Sequence, residues 1–413
     1  MIRISTEWMY QQSLNTMLAQ QGELADTQNQ VSSGKRINVA SDDPAGAAQV
    51  VNLQHILAAN TQYASNISSA NTRLSTEANA LDSVTSLLNS ANDIGLQAIN
   101  GALTASNHSG MATQLVQIRN ALVQLANTTD GSGAALFAGT STTQAAFTLN
   151  ADGSVTYNGN DASSFSAVGV GNQVANGDPG SAVFMNVPAG NGAFEASANP
   201  ANTGTLVVGS TSVSSASSWS AANAAGPVND TINFGANGSY TVTDASGNPV
   251  KDASGNPISG TYNAGDSITI NGATVSMSGV PANGDKVSLT SDSAQNTQDV
   301  FSTLNNMITA LQSGGSSTVL NNTLNRQLES LNQAMNNVTT TQVSIGGRLD
   351  TLQQQQTSYA NLNVTYQSAL SDVQNVDMAT AISNLSLQST ALQASQQVFA
   401  KVQSLSLFNY IQS

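Results

Sequence analysis

Tyr10, Leu14, Met17, Gln21, Leu24, Gln28 and Val31 step by four and three in alternation, which sets all seven on one narrow stripe of a helix. The same alternation returns at the far end of this 413-residue chain, in Ala381, Leu385, Gln388, Leu392, Ser395, Phe399 and Val402, with Leu405 and Phe408 carrying the apolar content onward. A stripe needs a partner helix, so the two ends are expected to pair with each other. Gln and Ser dilute both seams, leaving about half of the layers polar, and a lone two-helix hairpin of that kind is marginal. The ends are therefore expected to complete their folding against neighbouring subunits.

A longer seam runs from Leu324 through Leu331, Val338, Ile345 and Leu352 to Tyr359, Tyr366 and Val373 without a register break. Gly346-Gly347 is a place where such a helix can bend. Its expected mates are Ile67, Ala70, Leu74, Glu77, Leu81, Val84, Leu88 and Ala91, together with a shorter helix through Leu115, Ile118, Leu122 and Leu125. Helical spacing fills residues 5 to 140 and 290 to 413, and the segment between follows another pattern. Asp152-Gly153, Asn158-Gly159, Asn237-Gly238 and Asn271-Gly272 read as hairpin turns. Ser154–Tyr157, Gly204–Val208, Tyr240–Thr243, Ser267–Ile270 and Thr274–Met277 read as strands, and the Ser-rich run 210–220 as loop.

The expected fold is thus mainly α with an all-β insertion: a long antiparallel helical bundle or coiled coil built from both termini, and an outward β domain. Residues 1–43 and 374–413 form the terminal coiled coil, 44–140 and 290–373 a helical bundle, and 141–289 the insertion. Gly34, Asp43 and Pro44 mark a hinge between the first two helices, Asp43 as cap and Pro44 as first helical residue.

Composition narrows the function. Only 8% of residues are charged, so Ser, Thr, Asn, Gln and Ala make a wet surface that can stack on copies of itself with little Coulomb repulsion. A net charge of -14 leaves no cation reservoir for phosphates, which argues against nucleic-acid binding. With no cysteine, disulfides, zinc-thiolate sites and thiol nucleophiles are absent. No run approaches about 18 apolar residues, so no membrane span is expected, and no secretory leader is visible at the start. Gly34-Lys35 fails as a phosphate loop because Arg36 follows it and no strand precedes it. Asp244-Ala-Ser-Gly-Asn-Pro returns at Asp252-Ala-Ser-Gly-Asn-Pro, a repeated turn phrase with too few acidic ligands for a calcium loop. His55 and His108 have no companion group, and Asp42-Asp43 is explained by helix capping. No catalytic, cofactor or metal residue is nominated, and no enzyme is expected.

Ser32-Ser-Gly-Lys-Arg-Ile-Asn38, Ser41-Asp-Asp-Pro-Ala-Gly46 and Asn66-Ile67 with Asn71 and Leu74, read with Ala381-Ile-Ser-Asn-Leu-Ser386, Gln388-Ser-Thr-Ala-Leu-Gln393 and the ending Leu405-Ser-Leu-Phe-Asn-Tyr410, resemble the bacterial flagellin superfamily. The ending is similar to that of its hook-associated, junction-forming members more than to filament flagellins. The resemblance covers roughly the first 140 and last 125 residues. It implies a structural protein outside the cell, exported unfolded through the flagellar apparatus. Such a protein would join the hook, by way of hook-associated protein 1, to flagellin, assemble with copies of itself in a ring, and offer its C-terminal helix to an export chaperone. A flagellin filament subunit is the alternative within the family, and a secreted adhesin or lectin acting through the insertion is the alternative outside it.

Overall fold

The computed structural model describes residues 6–141, 144–224, 226–291 and 297–411, with side chains described within 8–401. Helices are α1 (Thr6–Ser33), α2 (Pro44–Ala98), α3 (Ala105–Ala126), α4 (Ala216–Asn223), α5 (Val300–Gln312), α6 (Ser317–Gln374) and α7 (Met378–Ile411), with every paired strand between α3 and α5 antiparallel. The chain divides into two compact units: residues 1–65 with 354–413, and residues 66–353. α2 and α6 each contribute to both. Among the described residues no helix is long and apolar enough to cross a membrane.

In the first unit α1 packs along α7. The lower part of α2 meets the upper part of α6 through a stacked ring pair, Tyr63 and Tyr359, at 5.7 Å. One turn away the Asn60 amide donates to the Asn363 side chain at 3.1 Å.

The second unit is the larger. Ile67, Leu74, Leu81 and Leu88, seven residues apart, are fully buried, as are Leu324, Leu331, Val338 and Ile345. Gly95 sits where a Cβ would come within 2.7 Å of the tips of both Leu328 and Met307, so glycine lets those side chains close over α2 without shifting. α6 passes Gly346-Gly347 without interruption, because two unfavourable residues are outweighed by the buried layers on either side. α3 starts at a Thr104 cap reciprocated by Asn107, which places His108 in the first helical turn. It stops at Ala126, short of residue 140. Asp130 accepts from the Ser132 and Ala134 amides and turns the chain out of the helix.

The β region centres on a five-stranded sheet of Phe194–Ala198, Asn229–Phe234, Ser239–Thr243, Ser259–Thr261 and Lys286–Ser291, and a three-stranded sheet of Val207–Val213, Ser267–Ile270 and Ala273–Ser278. Their inward residues share one core around Phe194, Val208, Ile232, Val275 and Leu289. The expected strands are present, with Gly204–Val208 displaced to Val207–Val213. The run 210–220 is not loop: it finishes that strand and then, capped by Ser215, forms α4, whose Trp219 packs at 5.2 Å on Phe194. Serine is as good a cap as it is a turn residue. Asn158-Gly159 closes no hairpin, since the Asn158 amide extends the ladder to Ala146. The repeated phrase folds into two equivalent turns, where Asp244 accepts from the Ser246 and Asn248 amides and Asp252 from Ser254 and Asn256.

Asn271-Gly272 closes the hairpin that pairs Ile270 with Ala273, with φ of 47° and 90°. A Cβ on Gly272 would stand 2.4 Å from the Ser215 carbonyl. Gly272→Ala is expected to cost about 1–3 kcal/mol, read as a lower urea midpoint of Trp219 fluorescence.

Helix and sheet are joined by polar side chains. Asn322 accepts from the Val208 amide and donates to the Leu206 carbonyl, Asn325 donates to the Val208 carbonyl, and Glu329 accepts from the Thr211 amide. α6 thereby completes the open edge of strand Val207–Val213, a row of groups that would otherwise recruit another strand. Four arginines make further joints: Arg73 with Asp130, Arg326 with Glu195, Arg348 with Asp178, and Arg119 with Asn305 and the Gly153 carbonyl.

Candidate functional site

The two chain ends meet in the first unit, and their alignment can be read from both extremities of the contact. Tyr10 and Phe399 set ring centroids 5.0 Å apart. At the other extremity Lys35 bridges Asn375 in antiparallel fashion, the Arg36 amide donates to the Gln374 carbonyl at 2.7 Å, and the Val376 amide donates to the Gly34 carbonyl at 3.1 Å. These pairings agree within one residue along the full helix pair. Counting in sevens from the ring pair sets Met17 level with Leu392 and Leu24 level with Leu385.

The seam is only partly closed. Leu392 and Ala381 are buried, Met17, Leu24, Val31, Leu385 and Phe399 are half-buried, and Tyr10 and Leu14 remain exposed. Val402, Leu405 and Phe408 lie in α7, but their side chains fall outside those described. Gln21 and Gln28 face water, and the layers expected of them are filled by Gln20 and Thr27. Both choices keep a heptad. The structure selects the one where the Thr27 hydroxyl bonds the Glu23 carbonyl and frees its methyl for the seam. Gln20 Oε1 and Gln388 Oε1 are buried, and among the described residues neither has a hydrogen-bond partner. Outside the seam Trp8, Leu18, Ile382, Leu387 and Val398 are each more than half exposed. Isolated chains rarely leave so much apolar side chain along two neighbouring helices.

Gly34, directly after α1, takes φ of 70°, a left-handed cap that glycine adopts without penalty. Arg36 donates through Nη2 to the Val373 carbonyl at 2.9 Å and lies 3.7 Å from Asp43, linking both crossovers. Asp43 Oδ1 accepts from the Gly46 amide at 2.9 Å and caps α2, with Pro44 as first helical residue. Asp42 accepts from the Val39 and Asn38 amides, which hold its carboxyl below the usual range. Asp377 caps α7 in the same manner: its bond from the Thr380 hydroxyl, then those from the Thr380 and Ala379 amides, lower its pKa. Each outgoing helix of the clasp thus begins on an aspartate. Asp377 and Arg36 were not singled out from sequence, although Asp377 with Thr380 three residues on is a readable cap. Arg36→Ala is expected to cost about 1 kcal/mol, seen as faster amide exchange at Val376 with Tyr63 and Tyr359 still stacked.

The charged groups of this arrangement serve its turns and helix caps. Asp42 and Asp43 are engaged by backbone amides, His55 is exposed on α2, and among the described residues no cluster of three metal-ligating side chains occurs. What the geometry provides is a half-closed pair of helices anchored by a tight double turn.

Comparison with known proteins finds matches at both ends of the chain. The bacterial flagellin N-terminal helical region matches residues 4–142 and the C-terminal helical region residues 328–411. Flagellar hook-associated protein 3 of Salmonella typhimurium is 35% identical over 186 residues, which is 45% of this chain and 58% of that protein. The chain spans about half the length of the curated relatives it matches. Among solved structures, FlgL of Xanthomonas campestris superposes with a TM-score of 0.65 at 30% identity, covering 77% of this chain and 99% of that one. Hook-associated protein 3 of Legionella pneumophila does so with 0.71 at 27% identity, covering 78% and 98%. With both terminal helical regions matched and a relative at this identity covered end to end, the chain belongs to the bacterial flagellin superfamily of structural flagellar proteins, on the side of its hook-associated members.

Proposed function

We propose that this chain is the adaptor of the flagellar hook-filament junction, seated on hook-associated protein 1, presenting the first docking surface to flagellin and forming a ring with copies of itself. It acts outside the cell, reaching its place unfolded through the flagellar export apparatus, and the exposed apolar face of α7 at Leu387 and Val398 offers a grip to an export chaperone. The observation that carries this reading is the coverage of solved hook-associated protein 3 chains over almost their whole length. The seam agrees with it in physical terms. A half-polar helix pair with two orphaned amide oxygens gains its missing partners from neighbours, so assembly and final folding are one event.

Deleting the gene tests it. The adaptor leaves an intact hook while flagellin escapes into the medium, and the intact gene in trans restores filaments. A filament purified from wild-type cells and composed mainly of this chain would instead make it the flagellin, and glycan binding by the full chain at the β region would favour an adhesin.

A further inference from the structure

One end of the β sandwich carries a charge pattern that neither the core nor the adaptor role uses. In strand Asn229–Phe234 the residues facing inward are Asp230, Ile232 and Phe234. Thr231 pairs with Thr243 on the neighbouring strand, and continuing that antiparallel register by one step sets Asp230 opposite Asp244. Like charges in directly opposed positions destabilise a sheet. Asp230 is 7% exposed, and among the described residues no donor bonds its carboxylate. Asp244 spends Oδ1 on the amides of its own turn, while Oδ2 accepts only from the Asn248 side chain at 3.2 Å. The two carboxylates line a polar cleft of about 430 Å³, together with Asn229, Ser246 and Asn271.

Burial, with the Asp244 charge adding to it, pushes the Asp230 carboxyl up to about 6. The geometry is decisive: an enclosed carboxylate without a donor faces a second carboxylate across one polar cleft. Lys251 lines the same cleft, but it is exposed and makes no ion pair with either aspartate.

We propose that this cleft is a divalent-cation site, taking Ca2+ between Asp230 and the free side of Asp244. The class follows from the donors: carboxylate oxygens, with neither sulfur nor imidazole, and an open mouth that leaves several positions to water suit a hard cation with a large, adaptable shell. Bound there, the ion converts the repulsion between two strands into a tie across the end of the sheet, next to the repeated turns. It does not make those turns calcium loops, since their Oδ1 atoms are already committed.

The test is calorimetric titration of CaCl2 into the full chain, stripped with chelator, at pH 7.5 and 150 mM KCl, with thermal scans followed by Trp219 fluorescence. One site is expected with Kd of about 0.1–1 mM, the range of weak extracellular calcium modules, and an upward shift of the β-region transition. Asp230→Asn is expected to weaken binding at least about tenfold and to remove the shift, while raising the transition in chelator because the buried charge is gone. Lys251→Ala, which removes a competing cation, is expected to tighten binding. Absence of heat and shift at 10-fold the expected Kd overturns the proposal, as does unaltered affinity in Asp230→Asn, which marks diffuse attraction to the net charge. A lower transition in Lys251→Ala together with no calcium effect on the wild type identifies Lys251 as the counter-charge and overturns it equally.

Discussion

A strain whose only copy carries Leu392→Asp is expected not to swim and to lose flagellin to the medium, while the purified full chain keeps the unfolding midpoint of its larger unit. Among the described residues Leu392 is the best-buried large apolar side chain of the α7 seam, and it lies level with Met17 in a contact whose neighbouring α7 positions are the polar Gln388 and Ser395. An aspartate there must stay charged in a seam with no cation facing it, or take up a proton. Removing the leucine alone costs about 2–5 kcal/mol, and desolvating the new carboxylate adds to that. A helix pair held by so few apolar layers has no reserve to absorb such a loss, whereas residues 66–353 form a separate compact unit with its own core. Swimming assays, immunoblots of the medium and urea titration of the purified variant check the two halves separately. Normal motility would show that the seam does not carry the junction.

The legible part of the fold was the part governed by period. Four-three spacing finds its helices because core layers repeat at the same interval as the backbone turn, and Ile67 to Leu88 and Leu324 to Ile345 are buried as that spacing requires. Phase was less legible. Gln20 and Gln21 are the same residue type in adjacent positions, so the sequence offers no contrast with which to choose, and the choice rests on the Thr27 hydroxyl finding the Glu23 carbonyl. Short strands announced themselves where β-branched residues flank Asn-Gly, as at Ile270 to Ala273. They failed to do so at Ser210–Ser220, where serine serves strand, cap and turn alike. The clasp was half visible: Asp43 and Pro44 are local signals, but Arg36 reaching the Val373 carbonyl depends on two crossovers meeting from opposite ends of the chain, and no local pattern encodes that. The edge-strand cover by Asn322 and Asn325 was hidden for the same reason, since amides on a helix look like surface until a strand lies against them.

The pH dependence of stability is expected to centre on Glu77, and Glu77→Gln is expected to flatten it. Glu77 occupies a core position of α2, has no solvent exposure, accepts the Asp178 amide at 3.1 Å through Oε1, and among the described residues leaves Oε2 without a partner. Burial, with the Asp178 charge adding to it, pushes its carboxyl from 4.5 up to about 8, against the pull of the Asp178 amide bond and Arg348. The folded chain therefore keeps a proton at pH 7 that the unfolded chain has released. The sign follows: native Glu77 binds more protons than unfolded Glu77 between those two values, so stability is greatest at or below pH 4.5 as far as this group is concerned, declines as pH rises, and is lost by about pH 8. The steepest contribution is about 1.4 kcal/mol per pH unit, and screening and local relaxation lower it. Glutamine keeps the shape and the acceptor for the Asp178 amide, adds donors on the orphaned side, and has no proton to lose. Urea midpoints of both proteins from pH 5 to 8.5 give the comparison. Asp230 titrates within the same window in both chains, so it cancels in their difference. The difference is expected to grow steadily in favour of the Glu77→Gln chain as pH rises, and a difference independent of pH would mean that Glu77 is ionised in the native chain, with Arg348 rather than a proton as its counter-charge.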